Sequence, residues 1–178
     1  MVVKGWGILK KIIWFPILLL LAVFIGLFIF VKVNPPLDIS NVYASGDYKS
    51  AIVGVGNTGF ADIKIVDVTV NNDEKPLDKK IQVSHALKGF IITDDCSGKD
   101  AEEYDFTNME DVIIKTGTSP SVHFEKLDNG TATKEDLAYG VSALHSSAIN
   151  EMKITYKYLG ITFTETVTVT PYPIINEE

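Results

Sequence analysis

Twenty consecutive residues, Ile12 to Val31, read IIWFPILLLLAVFIGLFIFV and carry no charge, with lysines standing at both ends. At about 1.5 Å per residue, a helix of this length spans about 30 Å, the hydrocarbon thickness of a bilayer. Sixteen of the twenty are Ile, Leu, Val or Phe, each favouring insertion by about 0.3–0.6 kcal/mol, so together they outweigh the cost of Pro16. Pro16 lies near the start, where it kinks or caps the helix without aborting it. Trp6 and Trp14 at the same end suit an interfacial aromatic belt.

Two rival readings meet the same segment, a cleaved signal peptide and the buried core helix of a soluble domain. A signal peptide needs a short apolar core and then a small-x-small site, whereas FVKVNPP follows here, with no cysteine to accept a lipid. The retained anchor is therefore the reading adopted, with the lipid bilayer as its partner through Ile12 to Val31. Lys4, Lys10 and Lys11 precede the segment and only Lys32 closely follows it, so the positive-inside rule places residues 1–11 in the cytoplasm and the C-terminal part outside. Ala22 and Gly26 form one small-xxx-small pair, through which the helix could approach another. Residues 32–37, KVNPPL, read as a short, stiff linker.

Residues 38–178 are the size of one domain with its own core. Residues 1–34 carry +4 and the remainder −11, giving the net −7. An acidic domain without lysine or arginine clusters repels phosphate backbones, so nucleic acid is excluded as a partner. Arginine is absent altogether. Cys96 is the single cysteine, so no disulfide can form within the chain and the domain depends on burial and strand pairing. A low-disulfide exported domain points to a bacterial cell envelope.

From Asp38 onward apolar residues recur at spacing two between Gly, Pro, Asn and Asp clusters, the pattern of an antiparallel β-fold. Strands are expected over residues 39–44, 49–55 and 62–70, the last with a bulge near Val66 where the inward face changes register. Further strands are expected over 80–83, 89–93, 111–116 and 121–127, the last two joined by a GTSP turn, and an acidic loop over 93–111. Thr133 and Asp136 resemble a capping box, which predicts one helical turn over 134–139 before a strand over 141–144. Last, MKITYKY and ITFTETVTVT flank Leu159-Gly160 as a hairpin; since Leu is a poor type I′ residue, a loop longer than two is expected. About nine short strands predict an all-β, immunoglobulin-like β-sandwich after one transmembrane helix.

The stretch AIVGVGNTGFADIKIVDVTVNN, with its strand, Asn-x-Gly turn and longer alternating strand, resembles the opening of bacterial immunoglobulin-like or fibronectin-like surface domains. The later VIIKTGTSPSVHFEKL, a strand, a Gly-containing turn and a strand, is similar to the middle of such sandwiches, including cell-adhesion-related bacterial domains and the late-embryogenesis-abundant type 2 fold. The resemblance covers residues 50 to 127 and implies a fold, not an activity. The long acidic insertion departs from it.

Motifs that carry chemistry fail on context. Gly54, Gly56 and Gly59 spell GxGxxG, but strand periodicity follows where a dinucleotide site needs a helix, so no nucleotide is implied. The weak Ca²⁺ candidates are Asp94, Asp95, Asp100, Glu102 and Glu103, whose spacing is not that of an EF-hand; the simpler reading is a solvated acidic loop. Carboxylates around Cys96 disfavour its thiolate, leaving an inert thiol or an intermolecular disulfide as its readings. His85, His123 and His145 lack metal-ligand spacing, no GxSxG elbow accompanies them, and Asn129-Gly-Thr131 serves as a turn. No catalytic, cofactor or metal residue is assigned. The expectation is a non-enzymatic binding or structural module that recognises a protein at the cell surface through loops and sheet edges. The alternatives are an accessory or sensor subunit associating through its helix, and an envelope enzyme with a site assembled from dispersed residues.

Overall fold

The structure is a computed structural model and describes residues 5–96, 98 and 101–169, with side chains from Trp14 onward. It divides into two units, residues 1–35 and 36–178. In the first, α1 (Gly5–Val33) runs through Pro16 without a break. Its apolar window, Trp14–Val33, is 20 residues long and almost none of it is buried, unlike a core helix. It is an N-terminal apolar helix long enough to cross a bilayer, a description a signal sequence also meets.

The second unit is mostly β. Eight strands are present among the described residues: β1 (Leu37–Ala44), β2 (Ser50–Asn57), β3 (Ile63–Val70), β4 (Asp78–His85), β5 (Asp105–Thr107), β6 (Leu137–Leu144), β7 (Glu151–Tyr158) and β8 (Ile161–Thr168). They form two antiparallel sheets, ordered β1-β2-β6-β4-β5 and β3-β7-β8. Buried apolar side chains come from both: Val53, Val55, Ile81 and Val141 from the five-stranded sheet, and Ile63, Ile65, Val68, Ile154 and Tyr156 from the three-stranded one. Each such side chain taken fully out of water contributes about 1.5–3 kcal/mol.

Local chemistry explains the ladders. In β7, Met152, Ile154, Tyr156 and Tyr158 are buried while Lys153, Thr155 and Lys157 are not, the period-two pattern of a half-buried strand. Across the β7–β8 pair, Tyr156 and Phe163 stack with centroids 5.3 Å apart. The bulge expected near Val66 is present: the β3–β7 register shifts between Ile65 and Asp67, returning Val68 and Val70 to the core. Asn57 closes its Asn-x-Gly turn by accepting from Gly59 N–H at 2.8 Å. The buried amide also donates to the carbonyls of Ala61 (2.9 Å) and Ile114 (3.1 Å).

Several local expectations are corrected. Against about nine strands expected, eight lie among the described residues. Residues 121–127 form a helix, α2 (Pro120–Asp128), because Pro120 at its first position is preset for helical φ and Asn129-Gly130 ends it, with Gly130 at φ +72°. Residues 89–93 lie outside any ladder: Gly89 at φ +71° turns the chain, and Ile91 N–H bonds to the Gln82 side chain at 3.2 Å. Residues 111–116 reduce to the end of a 3-10 turn (Met109–Asp111) and a single bridge, Ile63 to Ile114. The acidic stretch 93–111, expected as loop, contains β5 and that turn. The Thr133–Asp136 capping bond exists, with Thr133 N–H donating to the Asp136 carboxylate at 2.8 Å, yet β6 begins at Leu137 and no helical turn follows.

The β7–β8 loop has two residues, since Tyr158 pairs with Ile161, and Leu159 (φ +50°) and Gly160 (φ +78°) both adopt the left-handed conformation that a tight hairpin needs. Strand twist and the flanking ladder impose this on Leu159 against its own preference. Replacing Leu159 by Asn is predicted to raise stability by about 1 kcal/mol, seen as a melting temperature a few degrees higher; an unchanged or lower one contradicts the strained turn.

Candidate apolar binding cleft

β2 is buried along its whole length, on both faces. One face, with Ala51, Val53 and Val55, joins the core. The other carries Ile52, Gly54 and Gly56, and there two glycines make a depression. Gly54 stands directly opposite Gly140 of β6. A Cβ on Gly140 would lie 3.1 Å from Phe90 Cδ1 and 2.7 Å from Ile52 Cδ1, and one on Gly54 would lie 3.5 Å from Phe90 Cε2. The Phe90 ring thus rests on bare backbone, as glycine in a strand interior permits.

The third glycine receives α2. A Cβ on Gly56 would collide with the Thr118 carbonyl oxygen and would lie 2.6 Å from Pro120 Cδ and 2.8 Å from Ser119 Cα. Ser119, the residue preceding the helix, donates its hydroxyl to the Asp38 carboxylate of β1, which fixes the helix start on the sheet. At the far end Lys126 pairs with Asp136, which also accepts the Thr133 N–H; these donors hold that carboxyl at a pKa of about 2.

Between the 86–92 segment and α2 lies a cavity of about 640 Å³, within the range of about 300–1,000 Å³ typical of small-molecule sites. Phe90, Ile91 and Ile92 form one wall, Pro120, Phe124 and Leu127 the other, and Tyr43, Gly54 and Ala138 are at the sheet. Phe124 and Leu127 remain 46% and 39% exposed, so the cleft is open on the helix side. Polar groups are few: Ser40, Asn41, Tyr43, Lys88, His85 and His123. Lys88 is engaged elsewhere, donating to the Glu103 carbonyl and lying 4.1 Å over the Tyr104 ring. His123 is buried, and burial pushes its pKa down, with Asp136 acting in the opposite sense.

The histidines, dispersed in sequence, are partly reunited. His85 and His123 both line the cleft, whereas His145 lies apart, its Nε2 3.0 Å from the Glu74 carboxylate. The GxGxxG glycines serve packing: Gly54 and Gly56 as above, and Gly59 beneath Tyr158, whose hydroxyl is 2.7 Å from where its Cβ would be. Asp94, Asp95, Glu102 and Glu103 are exposed on the acidic segment, and Asp100 lies outside the described residues. Among the described residues no three His, Cys, Asp or Glu side chains converge as metal ligands. Cys96 is half-buried, and burial, followed by the Asp78 charge, raises its pKa. Ala22 and Gly26 lie exposed on α1, with open space around the Gly26 Cβ position. Sequence reasoning missed the cleft, though glycine within strand patterns at 54, 56 and 140 was its available sign.

Comparison with protein-family models, with curated proteins and with solved structures finds no match to this chain.

Gly56→Ala is predicted to destabilise the protein by about 1–3 kcal/mol, because its methyl meets backbone at the start of α2 that cannot swing aside. Gly46→Ala, in open space, is the control. Thermal unfolding of the two variants checks this, and equal melting temperatures would refute the close docking.

Proposed function

We propose that the chain is a single-pass membrane protein, anchored by Ile12–Val31 with its N-terminus in the cytoplasm, whose outer domain is an immunoglobulin-like β-sandwich that binds an apolar ligand without chemically transforming it. The anchor reading is supported by the length and exposure of the apolar helix and by the lysine asymmetry. The sandwich reading is supported by two antiparallel sheets that both contribute buried side chains. One observation carries the binding reading: a preformed cavity of about 640 Å³ with apolar walls at a glycine depression.

Sheet edges and loops, the surfaces expected for protein recognition, remain available, but the cleft is the feature with a defined volume and lining. An apolar guest there gains from leaving water and from contact with fixed aromatic walls. Little protein rearrangement is needed, because Phe90 and the start of α2 are already seated.

The test uses the whole chain in lipid nanodiscs, isotope-labelled at isoleucine methyl groups and titrated with 2-methylnaphthalene. Saturable shifts are expected at Ile91 and Ile92 and none at Ile154 in the core. Leu127→Glu, which places a charge at the cleft mouth, is expected to weaken binding tenfold or more. Absence of a saturable shift at Ile91 and Ile92 would contradict the proposal.

A further inference from the structure

We infer that the cleft selects an uncharged, ring-bearing ligand with a single hydroxyl or carbonyl group, and that His123 is the side chain that binds this group. The inference rests on the cleft being a binding site and adds the chemistry of its ligand.

His123 is more than nine-tenths buried, on the face of α2 that lines the cavity. Neither ring nitrogen is bonded to another described residue, and neither is closed off as His85 Nδ1 is, so both remain within reach of a guest. His85 is the other imidazole, but its Nδ1 is closed off and lacks a partner, so it offers less to a guest. The charges nearest His123 on the packed elements, Lys126 and Asp136, bind each other. Burial favours the neutral imidazole, which presents one donor and one acceptor. A hydroxyl matches either and a carbonyl matches the donor. A carboxylate or an ammonium would surrender its hydration without a paired charge.

The lining supports the same choice. It includes no carboxylate, and its one lysine, Lys88, is held by the Glu103 carbonyl and the Tyr104 ring. Tyr43, Phe90 and Phe124 supply aromatic surface, against which a flat ring packs by offset or edge contacts.

The experiment compares four probes of one ring system on the full chain in nanodiscs, read at the Ile91 and Ile92 methyls against free probe concentration: 2-methylnaphthalene, 2-naphthalenemethanol, 2-naphthoate and 2-naphthylmethylammonium. The alcohol is expected to bind at least tenfold more tightly than the hydrocarbon and than either ion. His123→Phe should bring the alcohol to the level of the hydrocarbon while leaving the hydrocarbon unchanged. His123→Gln, which keeps a donor and an acceptor, should retain part of the preference. Naphthoate or the ammonium binding as tightly as the alcohol would overturn the inference, as would full alcohol affinity in His123→Phe. If the hydrocarbon binds and the alcohol gains nothing, the inference falls while the apolar cleft stands. If neither binds, both fall.

Discussion

Gly54 and Gly140 face each other across the β2–β6 ladder, and because neither has a side chain, the sheet offers bare backbone at its centre. The Ile52 and Ser40 side chains and the Phe90 ring share that place, and one strand-step along, Gly56 admits the backbone that begins α2. These contacts bring a second layer onto a sheet face that would otherwise meet water. They explain why β2 is buried on both faces and why polar residues do not alternate along it. They also fix the separation of the 86–92 segment and the helix, and the cleft is the space left between them.

Electrostatics are arranged around the cleft more than inside it. Lys126 and Asp136 join the end of α2 to the turn before β6, Ser119 and Asp38 join its start to β1, and Lys88 turns to Glu103 and Tyr104. Charges are thereby consumed in holding the walls, and the interior keeps apolar surface and two imidazoles. With no disulfide possible within the chain, positioning depends on such contacts and on packing. Only one of these contacts, Lys126–Asp136, joins two opposite charges, and the rest are single hydrogen bonds or a ring contact.

Elements governed by local chemistry were legible in the sequence. The terminal hairpin, the bulge near Val66 and the Asn57–Gly59 turn follow from side-chain alternation and turn residues. What was not legible depends on tertiary context. Residues 121–127 show an alternation that a strand and a short helix share, and Pro120 with Gly130 decided between them. Residues 89–93 are apolar because they lie over a sheet and not because they pair within one. Leu159 takes a conformation its neighbours impose. The cleft joins residues 43, 90 and 124, which no spacing rule connects. Gly54, Gly56 and Gly140 marked the place, although the first two also belong to a GxGxxG spacing that serves packing here.

The account stands on Phe90 lying over the two glycines. Nuclear Overhauser contacts between the Phe90 ring protons and the Hα protons of Gly54 and Gly140 measure this most directly. Strong cross-peaks to both glycines are the predicted result. Cross-peaks to neither, with the β2–β6 ladder intact, would mean that the cover is not seated on the sheet and that the cleft is not preformed.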